Sequence, residues 1–280
     1  MKLLITGAGG GLGSQFLELA GLDYPDWECV GVTRELADLL SPADIKGVIS
    51  DVKPDCILHA AAMAAVDLCE TEPELAHDVN VEGTRALVEA AENVNARVVF
   101  ISTDYVYDGT KNTPYHEEDH TQPLGVYGKT KLEAEHIVDQ MLDSTIIRTS
   151  WLYGKTGKNF VKTMRELVKK KNRIEVVTDQ VGAPTYYLDL CEAIALLIDK
   201  GSTGLFHVVN SGYCTWFEFA KAIFEEKNID VELAPVTSPA LDRPAPRPAN
   251  SRLDCSRYEE ETGKKMRHWR DALRDFLKYA

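Results

Sequence analysis

The run Lys2-Leu-Leu-Ile-Thr-Gly-Ala-Gly-Gly-Gly-Leu-Gly13 decides the fold. A short apolar strand runs straight into glycines, and an apolar-rich helix follows over about 13–20. Gly7, Gly10 and Gly13 stand at G-x-x-G-x-x-G spacing. That spacing lets a backbone turn tightly, approach a pyrophosphate closely and offer it the free amides of a helix N-terminus. Gly9 and Gly11 leave the register of the turn open. An ordinary glycine turn is the plainer reading, but strand before and helix after favour a nucleotide site.

Downstream the same rhythm repeats. Strands are expected at 29–32, 56–59, 97–102 and 144–149, with helices at 74–92 and 129–142 between them. Ser41-Pro-Ala-Asp44 reads as a helix start, with a serine cap, proline at the first helical position and an acid completing a capping box. Alternating strands and helices predict a parallel sheet covered on both faces, hence a doubly wound, Rossmann-type α/β fold. Beyond Trp151 the rhythm changes. A helix over 160–171 ends in the basic run 169–173, which reads as a solvated helix end. A helix at 188–200 and a strand at 205–209 are expected to return to the main sheet, and 234–250 is proline-rich and irregular. The predicted division is a dinucleotide-binding domain of 1–150 plus about 186–210, and a smaller C-terminal substrate domain of about 151–185 plus 211–280.

Composition narrows the function classes. The chain is 44% hydrophobic and 27% charged, ordinary for a globular protein with a sizeable core. Its net charge of −13 disfavours a nucleic-acid partner. None of the six cysteines pairs at C-x-x-C spacing, so neither a zinc or redox site nor a disulfide framework is expected, and a reducing cytoplasm fits. Cys29 and Cys56, beside strand-like runs, are expected to be buried. The first strand begins at Lys2, so no signal peptide is expected, and no apolar run reaches membrane-span length.

The second decisive run is Val126-Tyr-Gly-Lys-Thr-Lys-Leu-Glu133. Tyr127 and Lys131, at i and i+4, share one face near a helix start. A tyrosine titrates near about pH 10, and an ammonium close by is expected to lower that value, making the phenol a general acid or base near neutrality. Thr103, at the end of the strand over 97–102, is the natural third member, a hydroxyl pointing into the ligand crevice. For the cofactor, an acid is usual near the end of the second strand when NAD is preferred. Here Arg34 stands there, suited to a 2′-phosphate. NADPH is therefore expected over NADH, a plain surface charge being the other reading of Arg34.

Together these residues resemble the extended short-chain dehydrogenase/reductase superfamily and, within it, the dTDP-4-dehydrorhamnose reductase family. The resemblance covers nearly the whole chain. It is carried by His59-Ala-Ala-Ala-Met-Ala-Ala-Val-Asp67, Asp78-Val-Asn-Val-Glu-Gly83, Ser102-Thr-Asp-Tyr-Val-Tyr-Asp-Gly109, Arg148-Thr-Ser-Trp-Leu-Tyr-Gly154, Asp179-Gln-Val-Gly-Ala-Pro-Thr185 and Arg247-Pro-Ala-Asn-Ser-Arg-Leu-Asp254. The family often has glutamine where Gly11 stands. The resemblance implies reduction of the C4 ketone of a dTDP-linked 4-keto-6-deoxy sugar by NADPH or NADH, with Tyr127 as proton donor, Lys131 holding its pKa down and Thr103 orienting the oxygen. It implies cofactor contacts from Gly7, Gly10, Gly11, Leu12, Gly13, Arg34, Asp38, Leu39, Ala60, Ala61, Ala62, Tyr127 and Lys131. The nucleotide sugar would meet Thr103, Asp104, Tyr105, Tyr127 and Trp151. The oligomeric state, a homodimer included, and any divalent ion stay open.

Other residues have plainer readings. His116 and His120 flank Glu117, Glu118 and Asp119, which read as a solvated acidic loop rather than a metal site. Asp104 could cap a turn and Trp151 could be core. Tyr187, Arg243 and Arg247 are read as touching either the nucleotide or the second-domain surface. Two rivals remain: a different nucleotide-sugar 4-ketoreductase, and a non-catalytic NADP-binding regulatory subunit like the β-subunit of methionine adenosyltransferase. A dehydratase is disfavoured, because Asp104 is followed by Tyr105 and not by a second acid.

Overall fold

The computed structural model describes residues 1–279 of the chain. Its main sheet among the described residues runs, edge to edge, Gly204–His207, Ser144–Thr149, Arg97–Thr103, Cys56–His59, Lys2–Thr6 and Glu28–Val32, every pair parallel. The inner strands Cys56–His59 and Ser144–Thr149 are buried at every position, as a sheet covered on both faces requires. From Lys2–Thr6 the chain goes first to Glu28–Val32 on one side and then to Cys56–His59 on the other. That reversal opens a crevice at the carboxyl ends of these strands, where the glycine turn lies.

Strand alternation sorts the core into two layers. Leu3 and Ile5 pack with Phe16, Leu190, Ile194 and Phe206 under the helices Gly11–Asp23 and Tyr187–Asp199. Leu4 and Ile57 pack with Ile49, Leu87, Phe100 and Val138 under Pro42–Val52, Gly83–Asn93 and Val126–Val138. A third cluster, including Tyr153, Ile174, Phe219, Ile223, Leu273 and Phe276, joins the helices Phe160–Leu167, Trp216–Glu226 and Trp269–Lys278. No helix among the described residues is long and apolar enough to cross a membrane.

Several expectations change in detail. The strand near 205–209 does join the main sheet, beside Ser144–Thr149. The proline-rich stretch is not irregular from its start, because Glu232–Val236 pairs in parallel with Arg173–Val177. Pro235 is tolerated there because each strand of a two-stranded ladder is an edge. At Ser41 only half of the capping box forms. The hydroxyl accepts from Asp44 N–H, but the Ser41 amide goes to the Asp38 carbonyl, the aspartate being a methylene shorter than glutamate. Thr215 and Glu218 form the full box. The helix expected to end at 171 stops at Leu167, and its basic run is exposed, with Lys169 paired to Glu166 and Arg173 to Glu175 and Glu232. Cys56 is buried, but Cys29, on the outermost strand, is only half-buried.

The helix expected over 74–92 is α from Pro73–His77, widens to a π turn at Asp78–Glu82 and resumes as α over Gly83–Asn93. Asn80 lies in the π turn. Its Oδ1 accepts from Met63 N–H at 2.8 Å, and its Nδ2 donates to the Met63 carbonyl at 3.2 Å and to Thr130 Oγ1 at 3.1 Å. One side chain thus ties the segment after Cys56–His59 to the helix carrying Tyr127. Asn80→Ala leaves those buried groups unsatisfied and should cost about 1–3 kcal/mol of stability, read as a lower urea midpoint.

Candidate active site

The glycine turn lines a cavity of about 540 Å³ together with Val32, Arg34, Asp38, Leu39 and the Ala60–Ala62 backbone. Gly7 has φ +69°, and a Cβ on it would lie 2.9 Å from the Ala61 amide nitrogen, so the two loops approach as closely as backbone allows. The helix Gly11–Asp23 begins at Gly10 with no side-chain cap among the described residues, leaving its first amides for a ligand. At the far end Arg34, 76% exposed at its side chain, pairs with Asp38 at 3.0 Å. A glycine cradle, uncapped amides and an arginine at the rim fit the pyrophosphate and ribose of a dinucleotide. Not every expected glycine faces the cavity. Gly11 lies under the Tyr187 ring, with a Cβ there only 2.5 Å from it, which gives this glycine a packing reason of its own. Gly13 packs on the Gly7 carbonyl, and Leu12 is buried.

Thr103, Asp104, Tyr105, Tyr127 and Lys131 lie on the strand Arg97–Thr103, the short turn after it and the helix Val126–Val138; none of them lines this cavity. The Tyr127 ring meets that of Tyr105 edge-on at 5.7 Å. Thr103 Oγ1 donates to Asp104 Oδ1 at 3.1 Å and accepts from Tyr105 N–H at 3.2 Å. Asp104 is no exposed turn cap: it is 2% exposed, its Oδ2 has no partner among the described residues, and burial lifts its carboxyl to about 7 against nearby hydroxyls of Ser251 and Thr103.

The expectation for Lys131 needs correction. Its ammonium donates to the Ile101 carbonyl at 2.7 Å and sits 3.9 Å from the centre of the Phe100 ring. Burial draws it down to about 7, opposed by Glu135. The Tyr127 phenol is raised above its ordinary value by burial, with the Thr103 hydroxyl offsetting part of this. Spacing of i and i+4 placed the two side chains on one face but did not fix which neighbours the ammonium would choose.

A second cavity, about 610 Å³, opens on the other side of Tyr105. Asp67, Lys158, Phe160, Trp216, Arg243 and Arg247 are among its walls. Arg247 pairs with Asp67 at 2.8 Å. Trp151 stands behind Trp216, the rings stacked 3.5 Å apart, with its own backbone at φ +48°. Lys158, Phe160 and Trp216 were missed from sequence because no motif or periodicity links segments so far apart. Arg243 and Arg247 belong to this cavity, whereas Tyr187 packs between Gly11 and Gly154. The acidic loop is not wholly solvated: Glu117 is buried and accepts from His207 N–H at 2.8 Å, and no metal-binding cluster exists among the described residues.

A glycine-turn cleft at the carboxyl ends of such a sheet, with a tyrosine and a lysine four residues apart on one of its helices, is the arrangement of the extended short-chain dehydrogenases/reductases. Comparison with known proteins narrows this. The family profile described as the RmlD substrate binding domain matches residues 1–280. The chain is 41% identical to the spore coat polysaccharide biosynthesis protein SpsK of Bacillus subtilis, over 99% of this chain and 96% of that one. It is 38% identical to the dTDP-4-dehydrorhamnose reductase of Sinorhizobium fredii, over 98% and 96%. It superposes with a TM-score of 0.96, at 37% identity and covering 100% and 99% of the two chains, on the Bacillus anthracis dTDP-4-dehydrorhamnose reductase solved in complex with NADP. The chain belongs to the dTDP-4-dehydrorhamnose reductase (RmlD) family.

A side chain at residue 13 has nowhere to go, since its Cβ would fall on the Gly7 carbonyl. Gly13→Ala should lower stability by about 1–3 kcal/mol in urea unfolding. An unchanged midpoint would show that the contact yields without cost.

Proposed function

We propose that the protein reduces the C4 ketone of dTDP-4-dehydro-L-rhamnose to the alcohol of dTDP-L-rhamnose, with NADPH as the preferred cofactor. The observation that carries this reading is Tyr127, held edge-on to Tyr105 on the helix that packs against the strand end bearing Thr103, in a chain of this family with a glycine-turn cleft. A nicotinamide cofactor held between the glycine turn and Ala60–Ala62 supplies the hydride. Thr103 orients the ketone oxygen, and Tyr127 gives that oxygen its proton. The raised pKa suits this direction of reaction. A phenol kept protonated by burial is a loaded donor at neutral pH, and an alkoxide, far more basic than a phenolate, takes the proton downhill. Asp104, protonated near neutrality, is a hydrogen-bond donor or acceptor for a sugar hydroxyl. Lys131 fixes the nicotinamide ribose.

The second cavity suits the nucleotide half. Lys158, Arg243 and Arg247 gather positive charge for a diphosphate, and Phe160 and Trp216 offer aromatic faces for a base. In this reading 1–150 plus about 186–210 hold the cofactor, and about 151–185 plus 211–280 hold the sugar nucleotide.

The test is NADPH oxidation, followed by absorbance, with dTDP-4-keto-L-rhamnose generated in situ. Turnover to dTDP-L-rhamnose supports the reading. Turnover only with another 4-keto sugar would assign a sister reductase, and cofactor binding with no turnover on a panel of such sugars would assign a regulatory subunit. Tyr127→Phe should lower kcat by about 10²–10⁴ while KM changes only a few-fold, and near wild-type turnover would contradict the proton donor. Arg34→Ala should weaken NADPH about tenfold, the loss of one charge-assisted contact, and leave NADH nearly unchanged in fluorescence titrations. Equal weakening of both would remove Arg34 from cofactor choice.

A further inference from the structure

The helix Val126–Val138 starts without a cap of its own. Its N-cap is Gly125, which has no side chain to offer the free amides of the first turn. The cap comes from elsewhere in the chain: Glu70 Oε2, 56 residues upstream, accepts from the Val126 N–H at 2.9 Å. A Cβ on Gly125 would lie 2.8 Å from that oxygen and 3.3 Å from Pro246 Cδ, so an ordinary side-chain cap would displace the glutamate. The amide that Glu70 holds belongs to the residue before Tyr127. The bond is charge-assisted, and it sits at the positive end of a helix, where an anion is favoured.

Glu70 stands on the short helix Val66–Thr71, whose successive residues face in different directions. Leu68 lines the dinucleotide cavity. Val66 and Asp67 line the second cavity, where Asp67 pairs with Arg247 at 2.8 Å and accepts from Ala245 N–H at 3.3 Å. Cys69 is buried and directs its thiol to the Met63 carbonyl at 3.3 Å, and Met63 is itself part of the dinucleotide wall. One short helix therefore touches both cavities and the start of the helix that carries Tyr127.

We propose that Glu70 is a positioning residue for the reaction: by capping the start of Val126–Val138 it sets the place of Tyr127 relative to the two cavities. The proposal rests on the reductase reading for what Tyr127 does. Without the carboxylate the Val126 amide loses the partner it has here, and the first turn, with Tyr127 on it, is free to fray away from Val66–Thr71. Farther along, Thr130 is tied to Asn80 and Lys131 to the Ile101 carbonyl. Loss of the cap therefore disturbs the first turn and leaves the rest of the helix in place.

Two measurements on the full chain test it together: hydrogen exchange at the Val126 amide by ¹⁵N NMR, and single-turnover oxidation of bound NADPH at saturating keto sugar. Glu70→Ala should speed that exchange about tenfold, the loss of one charge-assisted bond. It should also lower the single-turnover rate about 10–100-fold, with KM changed only a few-fold. Glu70→Gln, whose amide oxygen can accept the same N–H, should restore both. Wild-type exchange and rate in folded Glu70→Ala overturn the proposal, as does faster exchange at an unchanged rate. A slow Glu70→Gln with its Val126 amide still protected overturns it too, because charge and not position would then be what matters. If Glu70→Ala does not fold, Glu70→Asp, which withdraws the carboxylate by a methylene, decides on the same two readings. Faster exchange in a protein that turns over no keto sugar would overturn the reductase reading alone and still support the cap.

Discussion

The helix Val126–Val138 meets the turn after Arg97–Thr103 with no room for a side chain at residue 128. A Cβ on Gly128 would fall on the Tyr105 carbonyl and crowd Pro123. That close approach sets the rest of the site. It lays the Tyr127 ring edge-on to Tyr105 and drops Lys131 onto the Ile101 carbonyl. Asn80 fixes the same helix from the other side through Thr130, and holds the Met63 backbone that continues from the cofactor wall. The glycine cleft and the helix carrying Tyr127 are thereby tied together, which is what the proposed reaction requires for positioning.

Burial gives that arrangement its electrostatics. Three ionisable groups around the reaction centre are displaced in the direction desolvation dictates: the Tyr127 phenol and the Asp104 carboxyl upward, the Lys131 ammonium downward. The first two changes favour protonated donors, which suits a reductase that must quench an alkoxide. The third works against the charge on the lysine, with Glu135 opposing it.

Much of the fold was legible because its signals are local. The glycine turn fixed the first strand and helix, and the inner strands Cys56–His59 and Ser144–Thr149 appeared as short apolar runs at their observed bounds. Of the proposed site, Tyr127 and Lys131 stand out by spacing and Thr103 by its place at a strand end. What escaped depends on tertiary approach. Helical spacing cannot say that Lys131 turns to a carbonyl and an aromatic ring, or that Gly11 lies under Tyr187. The π turn at Asp78–Glu82 carries Asn80, whose side chain reaches across to Met63 and Thr130, contacts invisible to periodicity. The wall formed by Lys158, Phe160 and Trp216 joins residues from separate segments, and Glu117 is buried by a partner 90 residues away. Pro235 misled because its strand pairs only at an edge.

The central claim is that this cleft and this tyrosine together reduce a sugar ketone at C4. NADPH carrying deuterium at the transferred position, incubated with the enzyme and dTDP-4-keto-L-rhamnose, tests it most directly by NMR of the product. The account predicts dTDP-L-rhamnose with deuterium at C4. Deuterium at another carbon, or retention of all label in the cofactor, would contradict it.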